Sequence, residues 1–150
     1  MPPRLGVSTY SEKLLVGYRY YDHHKIEFST GAPFGHGLSY TSFAYTALGI
    51  RPQRTVSFRL TNTGHRAGAE VAQLYLSYPA HVGEPPRQLR GFQKVLLAAG
   101  EEQEVHFMLT ERDLSIWDDK AHHWQLVHGK FGVFVGASSR DLQLTGNMDI

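Results

Sequence analysis

Adjacent carboxylates and adjacent histidines are the side chains of this sequence whose types and spacing could do chemistry. The carboxylate pairs are Asp118-Asp119 and Glu101-Glu102, and the histidine pairs are His23-His24 and His122-His123. Acid–base catalysis by two carboxylates needs surroundings that separate their pKa values, whereas both pairs lie in predicted turns. Neighbouring residues of a strand point to opposite faces, so neither histidine pair chelates a metal without a third convergent ligand. We therefore predict turn and loop roles for all four pairs.

Two further patterns lack the parts that a ligand site needs. A phosphate-binding loop requires a Lys-Ser/Thr pair and a following helix, and the sequence after Gly35 and Gly37 predicts neither. Arg112-Asp113 and Arg140-Asp141 each flank a sharp turn, where the aspartate can accept backbone N–H bonds and the arginine can pair with it. Ligand binding is the alternative for these two pairs. With no cysteine for thiolate sites, we predict no catalytic residue, no cofactor-binding residue and no metal ligand.

Charge and hydropathy exclude several classes of protein. The 150 residues carry a net charge of +1 and no basic block longer than two residues, which argues against a nucleic-acid or acidic-membrane surface. No apolar run approaches the roughly 20 residues of a membrane-spanning helix, and Met1–Tyr10 lacks the apolar region of a signal peptide. We therefore expect no nucleic-acid partner and no membrane partner.

Most of the chain has the hydrophobic alternation of β-strands. Apolar and polar residues alternate around Phe58, Phe107 and Val133, a period of two that places one face of each strand in a core. Ala69–Tyr78 is almost continuously strand-like, as in a central strand covered on both faces, and the three prolines of Pro79–Arg87 predict a loop. The predicted strands are Thr55–Thr61, Ala69–Tyr78, Leu89–Leu97, Val105–Leu109, Ile116–Asp118, Trp124–Val127 and Phe131–Val135. About seven short strands separated by turns indicate a two-sheet sandwich.

Alternate side chains of these strands should meet in a core between the two sheets. The predicted core residues are Phe58, Leu60, Val71, Leu74, Phe92, Val95, Phe107, Leu109, Leu114, Phe131, Val133 and Val135. Thr110–Leu114 predicts a short helical turn, with Thr110 or Asp113 bonding free backbone donors.

The first 50 residues have a different pattern. Leu14–Tyr21 is a strand-like run and Gly31–Tyr40 is an aromatic loop rich in glycine. Because so few periodic elements cannot bury the apolar residues of this stretch, we expect it to expose apolar surface. We predict that residues 1–45 are the incomplete edge of another domain with its linker, and that residues 46–150 form the sandwich.

Short motifs follow one another along the chain in a fixed order. They are Val16–Asp22, Pro33–Thr41, Thr61–Gly64 with Ala67-Gly68, Glu70–Tyr75, Leu89–Phe92 with Lys94-Val95, Arg112–Asp118 and Val135–Leu142. The first two resemble the end of the second domain of glycoside hydrolase family 3 enzymes, chiefly β-glucosidases and β-xylosidases. The others resemble the fibronectin type III-like domain of that family. The resemblance covers nearly everything from Tyr10 to Ile150.

The resemblance implies a parent enzyme built from a (β/α)-barrel, an α/β sandwich and a β-sandwich. It implies that this chain is all-β, with a fibronectin type III-like (immunoglobulin-like) sandwich preceded by a fragment of the α/β sandwich domain. It also implies a retaining mechanism, with an aspartate nucleophile in the barrel and a glutamate acid/base in the second domain, their carboxyl groups about 5–5.5 Å apart. The family motifs for both residues lie upstream of the matched part. We therefore predict that this chain alone is inactive.

Four aromatic residues are the candidates for contact with carbohydrate: Trp124, Trp117, Tyr75 and Tyr78. Exposed aromatic rings of a β-sandwich can stack on sugar rings, although packing is the interpretation that we favour, since aromatic side chains contribute most through burial. We expect Trp117 and Trp124 to lie opposite or diagonal to each other in a hairpin. We also expect Trp117 to be largely buried and Trp124 to be the more exposed of the two.

Three functions remain open for the chain. The first is a non-catalytic structural domain whose first segment braces the upstream catalytic domains of the same polypeptide. The second is a carbohydrate-binding module that holds an oligo- or polysaccharide, and the third is a free-standing protein-interaction domain. The first 40 residues favour the first function, because a free-standing module needs no fragment of an enzyme domain. We assign no localisation, although an extracellular or periplasmic site is compatible with the parent enzyme.

Overall fold

The regular structure of this computed structural model, which describes residues 9–27 and 31–150, consists mainly of strands. The helix α1 covers Tyr18–His24, and two short 3-10 helices cover Ala80–Val82 and Arg112–Leu114. The strands are β1 (Phe43–Arg51), β2 (Thr55–Asn62), β3 (Gly68–Ser77), β4 (Gln88–Leu97), β5 (Glu102–Met108), β6 (Ser115–Asp118), β7 (His123–Leu126), β8 (Lys130–Gly136) and β9 (Leu142–Asp149). Among the described residues, no helix has both the length and the apolar character to cross a membrane.

Seven of these strands form two antiparallel sheets that pack face to face. The first sheet has the order β1-β2-β5, and the second has the order β4-β3-β8-β9. The four-residue strands β6 and β7 pair with each other as a separate hairpin. The predicted all-β sandwich is confirmed. Of the seven predicted strands, five lie in the two sheets, as β2, β3, β4, β5 and β8, and the other two form the hairpin.

Alternate side chains of the two sheets fill the core between them. Ten of the predicted core residues are buried there: Phe58, Leu60, Leu74, Val95, Phe107, Leu109, Leu114, Phe131, Val133 and Val135. Burying a large apolar side chain stabilises a fold by about 1.5–3 kcal/mol, so these residues supply much of the driving force for folding. Because Phe107 is buried, the register predicted for its strand is confirmed.

The other two predicted core residues, Val71 and Phe92, lie on the surface, and that part of the prediction is wrong. Successive side chains of a strand alternate between faces, so residues an odd number apart cannot share one. In β3 the buried Leu74 lies three residues after Val71, and in β4 the buried Val95 lies three residues after Phe92. Both side chains therefore project from the outer face of the second sheet, where Phe92 is 70% exposed.

The run Leu14–Tyr21, predicted to be strand-like, contains no strand, and its end belongs to α1. The backbone of Gly17 has a positive φ of 60°, which ends any extended conformation just before the helix. Lys25 then adopts the left-handed conformation at the other end of the helix. Aromatic residues favour strands, and tertiary contacts of Tyr18 and Asp22 override that preference here.

Strand β1 was not predicted, because its alternation is interrupted. The register between β1 and β2 shifts between Thr46 and Gly49, and Ala47 has a positive φ of 54°, so the strand contains a β-bulge. A bulge moves the following side chains to the opposite face and erases the period of two from the sequence. The structure thus adds to the first sheet a strand, beginning at Phe43, that the sequence pattern does not reveal.

Candidate functional site

An ion-pair cluster joins α1 to the second sheet and its loops. The Asp22 carboxylate accepts a hydrogen bond from Arg87 at 3.2 Å and another from Arg140 at 2.8 Å. Its side chain is only 2% exposed, whereas both arginine side chains remain partly in water. Arg140 also donates to the carbonyl oxygen of Ile26 at 3.0 Å. A buried carboxylate with two guanidinium partners fixes the helix at one position on the sandwich.

A cluster of three rings lies beside this ion pair, and we call Tyr18, Phe34 and Tyr75 the covered cluster. The rings of Tyr18 and Phe34 stack with centroids 4.6 Å apart, and the Tyr18 ring meets Tyr75 edge-on at 6.1 Å. The Tyr18 hydroxyl also accepts a hydrogen bond from the backbone N–H of Leu89 at 2.8 Å. Through these contacts the first segment covers the outer face of β3, which explains the almost continuous strand pattern predicted there.

The side-chain amide of Gln73 bonds the loop after α1 to the sheet. Its nitrogen donates to the carbonyl oxygens of Gly35 at 2.9 Å and Ala137 at 2.7 Å, and its oxygen accepts the Tyr75 hydroxyl at 2.5 Å. Gly35 has a φ of 83°, and a side chain there would collide with the Gln73 amide. The backbone N–H of Ser139 donates to the Phe34 carbonyl at 2.9 Å. A glycine is therefore needed at position 35 because the backbone there lies close to the Gln73 side chain. This packing role accounts for Gly35 without a phosphate-binding loop.

Tyr75 and Tyr78, two of the candidates for carbohydrate contact, are buried. The Tyr78 hydroxyl donates to the carbonyl oxygen of Asp113 at 2.6 Å and accepts from Arg90 at 2.5 Å. Burial raises the pKa of both tyrosine hydroxyls above the usual range. A sugar could reach these rings only if the residues around them moved away.

Trp117 and Trp124, the other two candidates, form a pair on the surface of the hairpin. They face each other in the register of β6 and β7, with ring centroids 5.5 Å apart and ring planes at 63°. The guanidinium of Arg112 lies 4.0 Å from the centroid of the Trp124 ring. The guanidinium therefore makes a cation–π contact with Trp124 and covers part of the surface of its ring.

The exposure predicted for this tryptophan pair is wrong. Trp117 is 46% exposed and Trp124 is 41% exposed, so Trp117 is neither largely buried nor the less exposed of the two. Ile116 packs against the core, and Trp117, as its neighbour in the strand, points the other way. The two rings were expected to lie opposite or diagonal to each other, and in the structure they are opposite.

The adjacent carboxylates bond to backbone groups of their own turns. Asp118 accepts N–H bonds from Ala121 at 3.0 Å and Lys120 at 2.8 Å, and these bonds lower the pKa of its carboxyl below the usual range. Glu101 accepts the N–H of Ala98 at 2.7 Å. Across residues 9–27 and 31–150, no three side chains of His, Cys, Asp or Glu are grouped so that they could hold a metal ion.

The two Arg-Asp pairs match the prediction in part. Asp113 accepts the backbone N–H of Thr110 at 2.8 Å and closes its turn as predicted. Their arginines make contacts further away, since Arg112 lies over Trp124 and Arg140 binds Asp22. Predicting the Asp22 cluster from sequence would have required pairing residues 65 and 118 positions apart, for which no local pattern exists.

Comparison with known proteins assigns this architecture to a family. The fibronectin type III-like domain family matches residues 70–139. The chain is 43% identical to "Probable beta-glucosidase D" of Aspergillus flavus over 160 aligned positions, which include 91% of this chain and 21% of that protein. It is 42% identical to "Probable beta-glucosidase L" of Emericella nidulans, over 96% of this chain and 22% of that protein. The chain thus spans about a fifth of the length of the curated relatives that it matches.

Solved structures of β-glucosidases contain the same fold. β-Glucosidase D2-BGL from Chaetomella raphigera superposes with a TM-score of 0.89 at 37% identity, over 96% of this chain and 23% of that one. The GH3 β-glucosidase of Bifidobacterium adolescentis superposes with a TM-score of 0.86 at 37% identity, over 94% of this chain and 21% of that one. The chain therefore corresponds to the C-terminal, fibronectin type III-like part of glycoside hydrolase family 3 β-glucosidases.

Proposed function

We propose that this chain is a non-catalytic structural domain that braces the catalytic domains of a family 3 β-glucosidase. The whole enzyme would hydrolyse terminal non-reducing β-D-glycosyl residues, with its aspartate nucleophile and its glutamate acid/base on the upstream domains. Residues 1–45 would belong to the edge of the α/β sandwich domain, and residues 46–150 to the fibronectin type III-like domain. Strand β1 begins at Phe43, just before this boundary.

The buried Asp22 cluster is the observation that carries the proposal. A carboxylate inside protein is stable only if it is paired and hydrogen-bonded, and Asp22 has two arginine partners from the sandwich. Arg87 comes from the loop before β4, and Arg140 comes from the loop after β8. The segment that leads into the sandwich is thus held at two separated points of it. Such a connection would fix the orientation of the sandwich relative to the domain before it, and this is the role that we call a brace.

Asp22→Asn in the full-length polypeptide tests this function. Removing one partner of a buried ion pair costs about 3–5 kcal/mol, and we expect the lower end because both arginines can turn into water. The variant should lose activity on heating sooner than the wild type, while kcat/KM for an aryl β-glucoside at low temperature stays unchanged. Asp119→Asn, in an exposed turn, is the matched control and should change neither quantity.

Two results would contradict the proposal. One is a fall in kcat/KM for Asp22→Asn with unaltered thermal stability, because a brace acts through stability. The other is hydrolysis of aryl β-glucosides by the pure 150-residue chain that disappears when one of its Asp or Glu residues is replaced. Since the proposal places both catalytic carboxylates on other domains, the isolated chain should show no turnover.

Glycan binding at the hairpin is the second candidate function, and the half-exposed Trp117 and Trp124 favour it. Both indole rings have surface in contact with water, and large aromatic faces contribute strongly to binding when they are desolvated. Tyr75 and Tyr78 are buried, so they support this candidate less.

A further inference from the structure

The loop of residues 34–41 presents two apolar side chains that almost nothing covers. Leu38 is 95% exposed and Tyr40 is 96% exposed. The loop is nevertheless fixed at both ends, since its first carbonyl accepts the Ser139 N–H at 2.9 Å and its last hydroxyl donates to Asn62 at 2.7 Å. Because the loop is anchored, the exposure of these side chains is a built feature of the surface, and it leaves apolar area for contact.

A groove of about 820 Å³ separates this loop from β3. Its wall includes the carboxylate of Glu70, which accepts the Tyr45 hydroxyl at 3.1 Å, and its rim includes the exposed ring of Phe92. Lys94 and Asp141 also line it. None of the ion pairs within residues 9–27 and 31–150 includes Glu70. The groove thus combines an apolar rim with a carboxylate that forms no ion pair among the described residues.

Partial burial makes this carboxylate a receptor for positive charge. Burial has the largest effect on the pKa of Glu70 and raises it. Hydrogen bonds from the Tyr45 hydroxyl and the Val71 backbone oppose this rise, and the Asp141 carboxylate adds to it, so that the net direction is upward. Lys94 lies opposite Val71 in the β3–β4 register, on the outer face that also carries Phe92, and among the described residues it forms no ion pair with Glu70. An incoming ammonium or guanidinium group would restore the ionised form in water-poor surroundings.

We infer that the groove over Glu70 and the loop of residues 34–41 form the seat of a neighbouring domain of the same polypeptide, which inserts a lysine or arginine toward Glu70. This inference rests on the proposed function and adds the face and the chemistry of the contact. The occupant follows from the relatives, in which the matched part is about a fifth of the polypeptide and the remainder is available to cover the groove. Apolar and aromatic anchors around a complementary charge are the usual composition of the centre of an interface.

Hydroxyl-radical footprinting of the full-length polypeptide and of the isolated 150-residue chain tests the seat. Leu38, Tyr40 and Phe92 should react severalfold more slowly in the full-length polypeptide than in the isolated chain. Met108, which is 80% exposed on the other sheet, should react alike in both. Glu70→Gln and the double variant Leu38→Ser/Tyr40→Ser in the full-length polypeptide should restore the reactivity of Phe92. Met108→Ser is the matched control and should leave Phe92 protected.

Each other outcome overturns the inference in a distinct way. If Leu38 and Tyr40 react equally in both forms while another face is protected, the seat lies elsewhere and the brace still stands. If no part of the sandwich is protected, both the seat and the brace are wrong. If protection appears in the isolated chain as its concentration rises, the occupant is a second copy of the chain.

Discussion

Two groups of aromatic rings lie at the surface of the sandwich, and they differ in what covers them. In the covered cluster, the Tyr75 ring is fully buried because the Tyr18 ring, from another part of the chain, lies against it, and Phe34 stacks on Tyr18 as a half-exposed outer ring. On the hairpin, Trp117 and Trp124 meet each other at 5.5 Å and remain almost half exposed. The residue types are alike in the two groups. Their role is decided by whether a second segment of the chain reaches them.

The cover over Tyr75 is held by polar contacts that the hairpin lacks. The buried Asp22 carboxylate, with its two arginines, and the Gln73 amide fix the segment that carries Tyr18 and Phe34. The tryptophan pair has the guanidinium of Arg112 over one ring. Burial of apolar surface supplies free energy in both places, and it is the polar anchors that specify which rings are covered.

Among the substitutions that test this comparison, Tyr75→Ala should lower the free energy of unfolding the most. Removing a buried aromatic side chain costs about 3–5 kcal/mol, and the same should hold for Phe107→Ala in the core between the sheets. Urea unfolding of the isolated chain measures both. A loss for Tyr75→Ala of less than about 1 kcal/mol, the size typical of a surface change, would mean that the segment does not cover this ring in solution.

The sandwich could be predicted from sequence because a strand leaves a local signal. The period of two around Phe58, Phe107 and Val133 predicts both the strands and their buried faces, and those faces are confirmed. Where a bulge interrupts the period, as at Ala47, the strand β1 was missed. The core position predicted for Phe92 is wrong, because the alternation of its strand places it on the outer face.

The cover over Tyr75 could not be predicted, because its contacts leave no local signal. Asp22 is 65 residues from Arg87 and 118 residues from Arg140 along the chain. Composition and spacing within a window of the sequence say nothing about such pairs. The exposure of Leu38 and Tyr40 could not be predicted either. It depends on hydrogen bonds that hold the two ends of their loop to Ser139 and Asn62, which are distant in sequence.

Trp124→Ala should have a smaller effect than Tyr75→Ala, about 1–3 kcal/mol, because a ring that is 41% exposed loses less burial. Trp117→Ala, which leaves the contact of Arg112 with Trp124 in place, is the matched variant and should cost less still. Affinity electrophoresis on soluble β-glucans separates packing from binding. We expect equal mobility for the wild type and both variants. Retardation of the wild type that either substitution abolishes without loss of stability would favour the carbohydrate-binding module.

Tyr75→Phe should have the smallest effect at neutral pH and should distinguish the two groups by their response to alkali. The variant loses the hydrogen bond of the Tyr75 hydroxyl to Gln73, which costs about 1 kcal/mol. Burial raises the pKa of this hydroxyl above its ordinary value of 10.0, and the neighbouring Tyr18 and Asp22 add to the rise while Arg87 opposes it. The contribution of the hydroxyl to stability is therefore complete below pH 10.0 and is lost as the pH rises toward the higher value of the folded state.

Above that pH the wild type should lose about 1.4 kcal/mol of stability per pH unit relative to Tyr75→Phe, because the unfolded chain releases a proton that the folded chain retains. The two proteins should thus become equally stable near pH 11, about one unit above the onset, and the variant should be the more stable beyond it. The other buried tyrosines, Tyr45 and Tyr78, are present in both proteins, so their effects cancel in the difference. Tyr40→Phe, at an exposed ring, controls for the loss of a phenol and should follow the wild type. A stability difference between wild type and Tyr75→Phe that stays constant from neutral to alkaline pH would show that water reaches the Tyr75 hydroxyl in the folded chain. The Tyr75 ring would then be as open to water as the tryptophan pair.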